Sequence, residues 1–218
     1  AKITKVRRAG KGLIIDLNND YSIAIHIKLT GQLIYRGPNA PKVIHLSKSK
    51  VGSVPNKFTH VTLQLDKGGI LYYNDFRQFG WIKIVKTDEV GKLPFFRELG
   101  PEPFVGQASS GQASLSLEKF KEIVGKAKTA IKPLLMDQKK IGGVGNIYAN
   151  EALFVAKIDP RRPANSLSKI EQETLYKAII DVLKKGFKER GASELAFVDA
   201  LGQEGNYQNY FLVYGQEG

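Results

Sequence analysis

Residues 126–151 read KAKTAIKPLLMDQKKIGGVGNIYANE. This predicts a basic helix that leads through a turn containing Gly142, Gly143 and Gly145 into a second helix that begins near Asn146. Glycine at such a turn permits a tight backbone close to a ligand. The N-terminus of the helix that follows presents free N–H groups and a partial positive charge, which suits a phosphate. A glycine turn between helices also serves ordinary helical hairpins, so the stretch gains meaning from what surrounds it.

Downstream, the period stays helical. Leu117, Phe120, Ile123 and Val124 predict one apolar stripe, and Ile170, Leu175, Ile179, Val182, Leu183 and Phe187 predict another. The second helix is opened by a Ser168-x-x-Glu171 capping box. Upstream, the pattern is that of β-structure. GLIIDL, YSIAIHIKL, QLIY, HVTLQL, ILYY and GWIKIV are short runs rich in β-branched and aromatic residues, parted by turn signals such as Asn18-Asn19-Asp20 and Lys67-Gly68-Gly69. Residues 37–57, with Pro38, Pro41 and Pro55, predict a long exposed loop. Between the halves, VGQASSGQAS has the small polar composition of a linker. The expected organisation is α+β: a β-domain over residues 1–104, a linker over 105–114, and a helical domain over 115–218.

Composition narrows the partner. The 218 residues carry 33 Lys and Arg against 21 acidic residues, a net charge of +12, and 42% are hydrophobic. That surplus favours a polyanion, nucleic acid ahead of an anionic membrane surface, while an indifferent basic surface stays open on charge alone. There is no Cys, so disulfides and thiolate metal sites are excluded within the chain. His26, His45 and His60 lie too far apart in sequence to read as a metal-ligand set. No apolar run is long enough to span a bilayer and no signal peptide opens the chain, which predicts a soluble cytoplasmic protein.

The segment IKPLLMDQKKIGGVGNIYANEALF resembles the helix–two-turns–helix motif of the formamidopyrimidine-DNA glycosylase and endonuclease VIII family. HIKLTGQL, YNDFRQFGW, ELGPEPF and the final FVDALGQEGNYQNYFLVYGQEG resemble further family segments in the same order, so the resemblance covers essentially the whole chain. It implies a β-sandwich missing its first elements, joined to a helical DNA-binding domain, with damaged duplex DNA held by a monomer in a basic cleft. In this family the damaged base is turned out of the stack, its glycosidic bond is broken, and the strand is nicked by elimination.

The resemblance also implies roles for single residues. Asn146 matches the family Asn that binds backbone phosphate, and Lys128 and Lys132 lie on the basic stretch where such contacts are expected; a solvated helix face accounts for either lysine equally well. Leu29, Arg77 and Phe79 match the side chains that the family pushes into the duplex, where an apolar wedge, a planar cation and a ring fill the vacated stack. Leu29 stands where many relatives carry Met. Without the resemblance, Leu29 and Phe79 read as core residues and Arg77 as a surface ion-pair candidate. Lys11 matches a Lys associated with the lyase step, or is a strand-edge lysine. Glu151 matches an acid that orders the catalytic centre, or is a surface residue of its helix. At Lys57-Phe58-Thr59-His60 the pattern departs, because Phe58 stands where the family often has a DNA-contacting His, and His60 is assigned no DNA role.

The family's nucleophile is an N-terminal Pro followed by Glu, whose amine forms a Schiff base with the sugar. This chain begins Ala1-Lys2-Ile3 and aligns downstream of that point, so the expectation is that these 218 residues bind DNA weakly and catalyse nothing without it. Zinc is expected in the intact protein through Cys residues beyond Gly218, with no metal or cofactor held by these residues. The closing segment resembles the loop with which formamidopyrimidine-DNA glycosylases cover an oxidised purine, and oxidised purines are favoured over the oxidised pyrimidines of the endonuclease VIII branch. The rival readings are a non-catalytic DNA-binding relative and, further behind, an RNA-binding basic protein. The expected location is the cytoplasm, at the nucleoid when on DNA.

Overall fold

The computed structural model describes residues 1–38, 40, 47–103 and 113–216. The chain divides into two compact units: Ala1–Ala24 with Ile84–Lys185 and Phe211–Gly218, and Ile25–Lys83 with Gly186–Tyr210. Among the described residues, seven strands form two sheets. β1 (Ile3–Ala9), β2 (Gly12–Leu17), β3 (Tyr21–His26) and β7 (Trp81–Lys86) give the order β1-β2-β3-β7. β4 (Gly31–Arg36), β5 (Thr59–Gln64) and β6 (Ile70–Asp75) give the order β4-β6-β5. The division between the units passes within β3 and β7.

In the first unit, β1 and β2 form an antiparallel hairpin with Ala9 opposite Gly12. Gly10 turns it at φ 56°, the positive value that a two-residue hairpin loop demands. β1 escapes a reading from sequence because its outer half, with Thr4 and Lys5 exposed, looks like a polar tail. Its backbone is nonetheless laddered to β2 from Ile3 to Ala9.

The helices that build the main core of this unit are α3 (Leu117–Lys126), α4 (Ile131–Met136), α5 (Asn146–Val155) and the first 17 residues of α6 (Lys169–Lys188). They follow the short helices α1 (Lys48–Val51), of the second unit, and α2 (Pro94–Arg97), of the first. The core of the helical part is continuous, running from Phe120 and Val124 through Ile131, Leu135, Ile141 and Leu153 to Leu175 and Ile179. The expected stripes therefore face inward, except that Leu117 is half-buried and Ile170 and Phe187, near the two ends of α6, are exposed. The capping box forms reciprocally: Glu171 N donates to Ser168 Oγ at 3.3 Å, and Ser168 N donates to Glu171 Oε2 at 2.7 Å.

The basic stretch before the glycine turn is not one helix. After α3, residues 127–131 run beside 160–165: Ala164 N donates to Thr129 O, Asn165 N to Ala127 O and Ile131 N to Arg162 O. These partners replace the i to i−4 bonds a helix would need. Residues 105–112 of the expected linker lie outside the described residues; at its far end Leu115 N donates to Glu102 O, and Glu102 N donates to Ala113 O.

The second unit has its own small core of Ile34, Val51, Tyr72 and Val198. Val51, expected in an exposed loop, is buried at the end of α1. His26 is buried, with its Nδ1 accepting from Lys28 N, and His45 lies outside the described residues. No helix among the described residues is long and apolar enough to cross a membrane.

Candidate functional site

The glycine turn of the first unit is held by side-chain hydrogen bonds and close backbone packing. Gln138 staples it: Gly143 N donates to the side-chain oxygen at 3.0 Å, and the amide nitrogen donates to Val144 O at 2.8 Å. A Cβ at Gly142 would lie 2.7 Å from Gly100 O, and Gly143 sits at φ 85°, so neither position accepts a side chain without movement. The first two glycines therefore serve packing within the protein, where the sequence reading had glycine approaching a ligand.

Gly145 is different. It caps α5 in an extended conformation with no side-chain cap, and Asn146 is the first helical residue, exposed and without a side-chain hydrogen bond. A Cβ at Gly145 would lie 3.3 Å from Lys11 Nζ. The hairpin turn between β1 and β2 thus brings the Lys11 ammonium to the N-terminus of α5, beside Asn146. An ammonium, an amide side chain and uncapped helix N–H groups converge there, which is a set of donors for an anion. Lys132 lies in the first turn of α4, half-buried, and Lys128 lies exposed in the extended connection before it.

Glu102, which the sequence reading passed over, links these two turns. It is buried, accepts from Gly10 N at 2.8 Å and is paired with Arg8. Its Oε2 is also the atom that a Cβ at Gly143 would meet, at 3.3 Å. One carboxylate thereby sits against both the turn that carries Lys11 and the turn that precedes Asn146. The ELGPEPF segment was legible as a connection, but nothing local in it marks its second Glu as buried.

Glu151 is 0% exposed, so it is not a surface residue of α5. Its carboxylate accepts three successive backbone N–H groups: Leu212 at 2.8 Å, Val213 at 3.1 Å and Tyr214 at 2.9 Å. A buried carboxylate is tolerable when its lone pairs are so occupied. Its structural effect is to fix the segment at 212–214 onto α5.

The second unit carries the other sequence-predicted residues. Leu29, in the loop between β3 and β4, is 61% exposed, and Phe79, in the loop between β6 and β7, is 59% exposed. Neither is a core residue. Arg77 lies over the Phe79 ring, 4.8 Å from its guanidinium carbon to the centroid, so the cation and ring form one unit. The two loops adjoin, since Arg77 N reaches the Thr30 hydroxyl at 3.4 Å. Phe76 is exposed as well and packs edge-on against Phe58 at 6.0 Å. These two rings, with Thr30, Gln32, Asn74 and Ala196, line a hollow of about 260 Å³ that offers aromatic and amide surface together. His60 donates from Nε2 to Asp75 O at 2.8 Å and so has a structural partner.

Among the described residues no group of His, Cys, Asp or Glu is placed to hold a metal ion. Zinc, implied by the sequence resemblance, does not fit the donor sets present.

Residues 1–82 match the family model for the Formamidopyrimidine-DNA glycosylase N-terminal domain, and residues 99–197 match that for the Formamidopyrimidine-DNA glycosylase H2TH domain. The formamidopyrimidine-DNA glycosylase of Pelotomaculum thermopropionicum is 40% identical over 217 residues, covering 100% of this chain and 71% of the relative. That of Desulforamulus reducens is 39% identical over 214 residues, covering 98% and 70%. Among solved structures, the Lactococcus lactis enzyme in complex with DNA containing an abasic site superposes with a TM-score of 0.81 at 31% identity, over 99% of this chain and 72% of that one. Its G226P mutant in complex with DNA containing Fapy-dG gives 0.80 at 30%, over 99% and 72%.

Proposed function

The chain belongs to the formamidopyrimidine-DNA glycosylase family, and from that premise we propose that the intact protein removes oxidised purines from duplex DNA and cleaves the strand at the abasic site. The observation that carries the reading is the exposure of Leu29 together with the Arg77–Phe79 stack, on adjoining loops of one unit. An apolar side chain, a cation and a ring presented together on adjoining loops fit a duplex from which a base has been withdrawn.

In this reading Leu29 enters the stack as an apolar wedge. Arg77 and Phe79 occupy the space left by the withdrawn nucleotide, the cation facing the orphaned base and the ring stacking on a neighbour. Lys11, Asn146 and the first N–H groups of α5 hold a backbone phosphate, with Lys128 and Lys132 adding charge along the strand. Fixing the phosphates on either side of the lesion sets the register in which the wedge enters. Glu151 acts at a distance from DNA, as a positioning residue for the segment at 212–214. The lyase step of the family proceeds through an imine between an enzyme amine and the sugar, and a cation beside the site, the part assigned to Lys11, favours the negative charge gathered on the phosphate that leaves in the elimination. Zinc bound by the intact protein would use ligands outside the described residues. Its place of action is the cytoplasm, on the nucleoid.

The test is borohydride reduction of the full-length protein on duplex DNA carrying 8-oxoguanine. A covalent protein–DNA adduct is expected. Binding without an adduct would instead assign a DNA-binding relative that lacks the chemistry.

A further inference from the structure

Asp75, the last residue of β6, is 1% exposed and lies beneath the loops that carry the three intercalating side chains. Its Oδ1 accepts from the Thr30 hydroxyl at 2.5 Å and from Arg77 N at 3.3 Å. Its Oδ2 accepts from Gly80 N at 2.8 Å and from the Tyr73 hydroxyl at 3.2 Å. Thr30 follows Leu29, and Arg77 and Gly80 bracket Phe79, so every intercalating residue is, or is next to, a residue bonded to this carboxylate.

We propose that Asp75 is a positioning residue for lesion recognition, whose buried carboxylate locks the Leu29 loop to the Arg77–Phe79 loop so that the three side chains enter DNA as one body. The inference rests on the function proposed above and deepens it. Three further observations support it. The loop from Phe76 to Phe79 makes its reversal through Gln78 at φ 58°, a conformation that needs an external restraint in a residue with a side chain. Gly80 admits no Cβ, which would lie 2.0 Å from the Tyr73 hydroxyl, so the main chain there is pressed against the carboxylate's partners. Burial alone would raise the Asp75 carboxyl, but the hydrogen bonds from Thr30, Gly80, Tyr73 and Arg77 hold it below the ordinary range, so it stays an acceptor for all four donors. A hydrophobic core residue at this place would fill the space and tie neither loop.

The geometry also says which change breaks the lock. Asp75→Asn keeps shape but turns one oxygen into an N–H₂ group that faces the backbone N–H of Arg77 or of Gly80, so in either orientation the loop that carries Phe79 loses a tie to this side chain. The experiment measures the affinity of the full-length protein for a duplex with a central tetrahydrofuran abasic analogue and for the same duplex undamaged. The ratio of the two affinities is the readout. Asp75→Asn is expected to lower the ratio about tenfold; a change of less than threefold in a folded variant overturns the proposal. Should Asp75→Asn fail to fold, Thr30→Val decides, because it removes the hydroxyl that ties the Leu29 loop to Asp75 and to Arg77 N, and leaves the carboxylate its bonds to Arg77, Gly80 and Tyr73. A threefold or greater loss of the ratio that Thr30→Ser restores supports the lock, and a smaller loss overturns it. A wild-type protein with no preference for the abasic duplex overturns the functional reading itself, and this proposal with it.

Discussion

The guanidinium of Arg77 and the ring of Phe79 are stacked before any DNA is present, 4.8 Å apart. Each therefore restrains the other, and the two should not act independently. In a double-mutant cycle on abasic-analogue duplex, Arg77→Ala and Phe79→Ala are expected to be sub-additive by about 0.5–1 kcal/mol, the strength of an exposed cation–ring contact. Simple additivity would mean that the stack has no bearing on binding. Arg77→Ala alone should weaken binding to the abasic duplex more than to the undamaged one; equal losses would reduce Arg77 to a general electrostatic contact.

The proposed phosphate contacts separate into charged and neutral. Lys11→Ala and Lys128→Ala should each lower the slope of log affinity against log salt by about 0.9, the change expected for one phosphate contact. Asn146→Ala should weaken binding at every salt concentration and leave the slope as it was. A slope that falls with Asn146→Ala, or stays put with Lys11→Ala, would contradict these contacts.

Replacement of Glu151 by Leu leaves three backbone donors at 212–214 without their acceptor. The expected loss of stability is about 2–3 kcal/mol, the range for removing a charged acceptor from a partly buried network. Amide hydrogen exchange should quicken at 212–214 before it does so in α3. Unchanged exchange there would show that other contacts hold the segment.

Glu171, bonded to Arg162 and capping α6 at Ser168, is held at about 2 against an ordinary value near 4.5. A carboxyl depressed on folding contributes stability that is present above its unfolded value and disappears as pH falls through its folded one. The cap should therefore weaken between about pH 4.5 and about pH 2. Over that window Glu171→Gln should show a flatter pH dependence of melting temperature than the parent. Ser168→Ala, which removes the other half of the box, should cost about 1 kcal/mol at neutral pH.

Local pattern carried much of this fold. Six of the seven strands follow from runs of β-branched and aromatic residues, and α3 and α6 follow from their apolar period, because those signals depend on neighbours in sequence. β1 and the extended stretch around Lys128 were hidden for the opposite reason: their hydrogen-bond partners, β2 and residues 160–165, are supplied by other parts of the chain. The site divides likewise. Leu29, Arg77, Phe79 and Asn146 are candidates through resemblance to family segments, while nothing in the sequence singles out Asp75 and Glu102. A buried carboxylate is defined by the donors gathered round it, and Thr30, Gly80 and Tyr73, or Arg8 and Gly10, say nothing of their convergence when read in line. Composition alone even pointed the wrong way for Leu29 and Phe79, because apolar residues kept in solvent are recognisable only against a surface.

The grip of Glu151 on 212–214 falls on main-chain N–H groups, which every amino acid but one supplies. The identities of Leu212, Val213 and Tyr214 are thus immaterial to this anchor, and the segment is free to be rewritten for other ends. Proline is the exception: at any of the three places it would withdraw a donor that no side chain can restore.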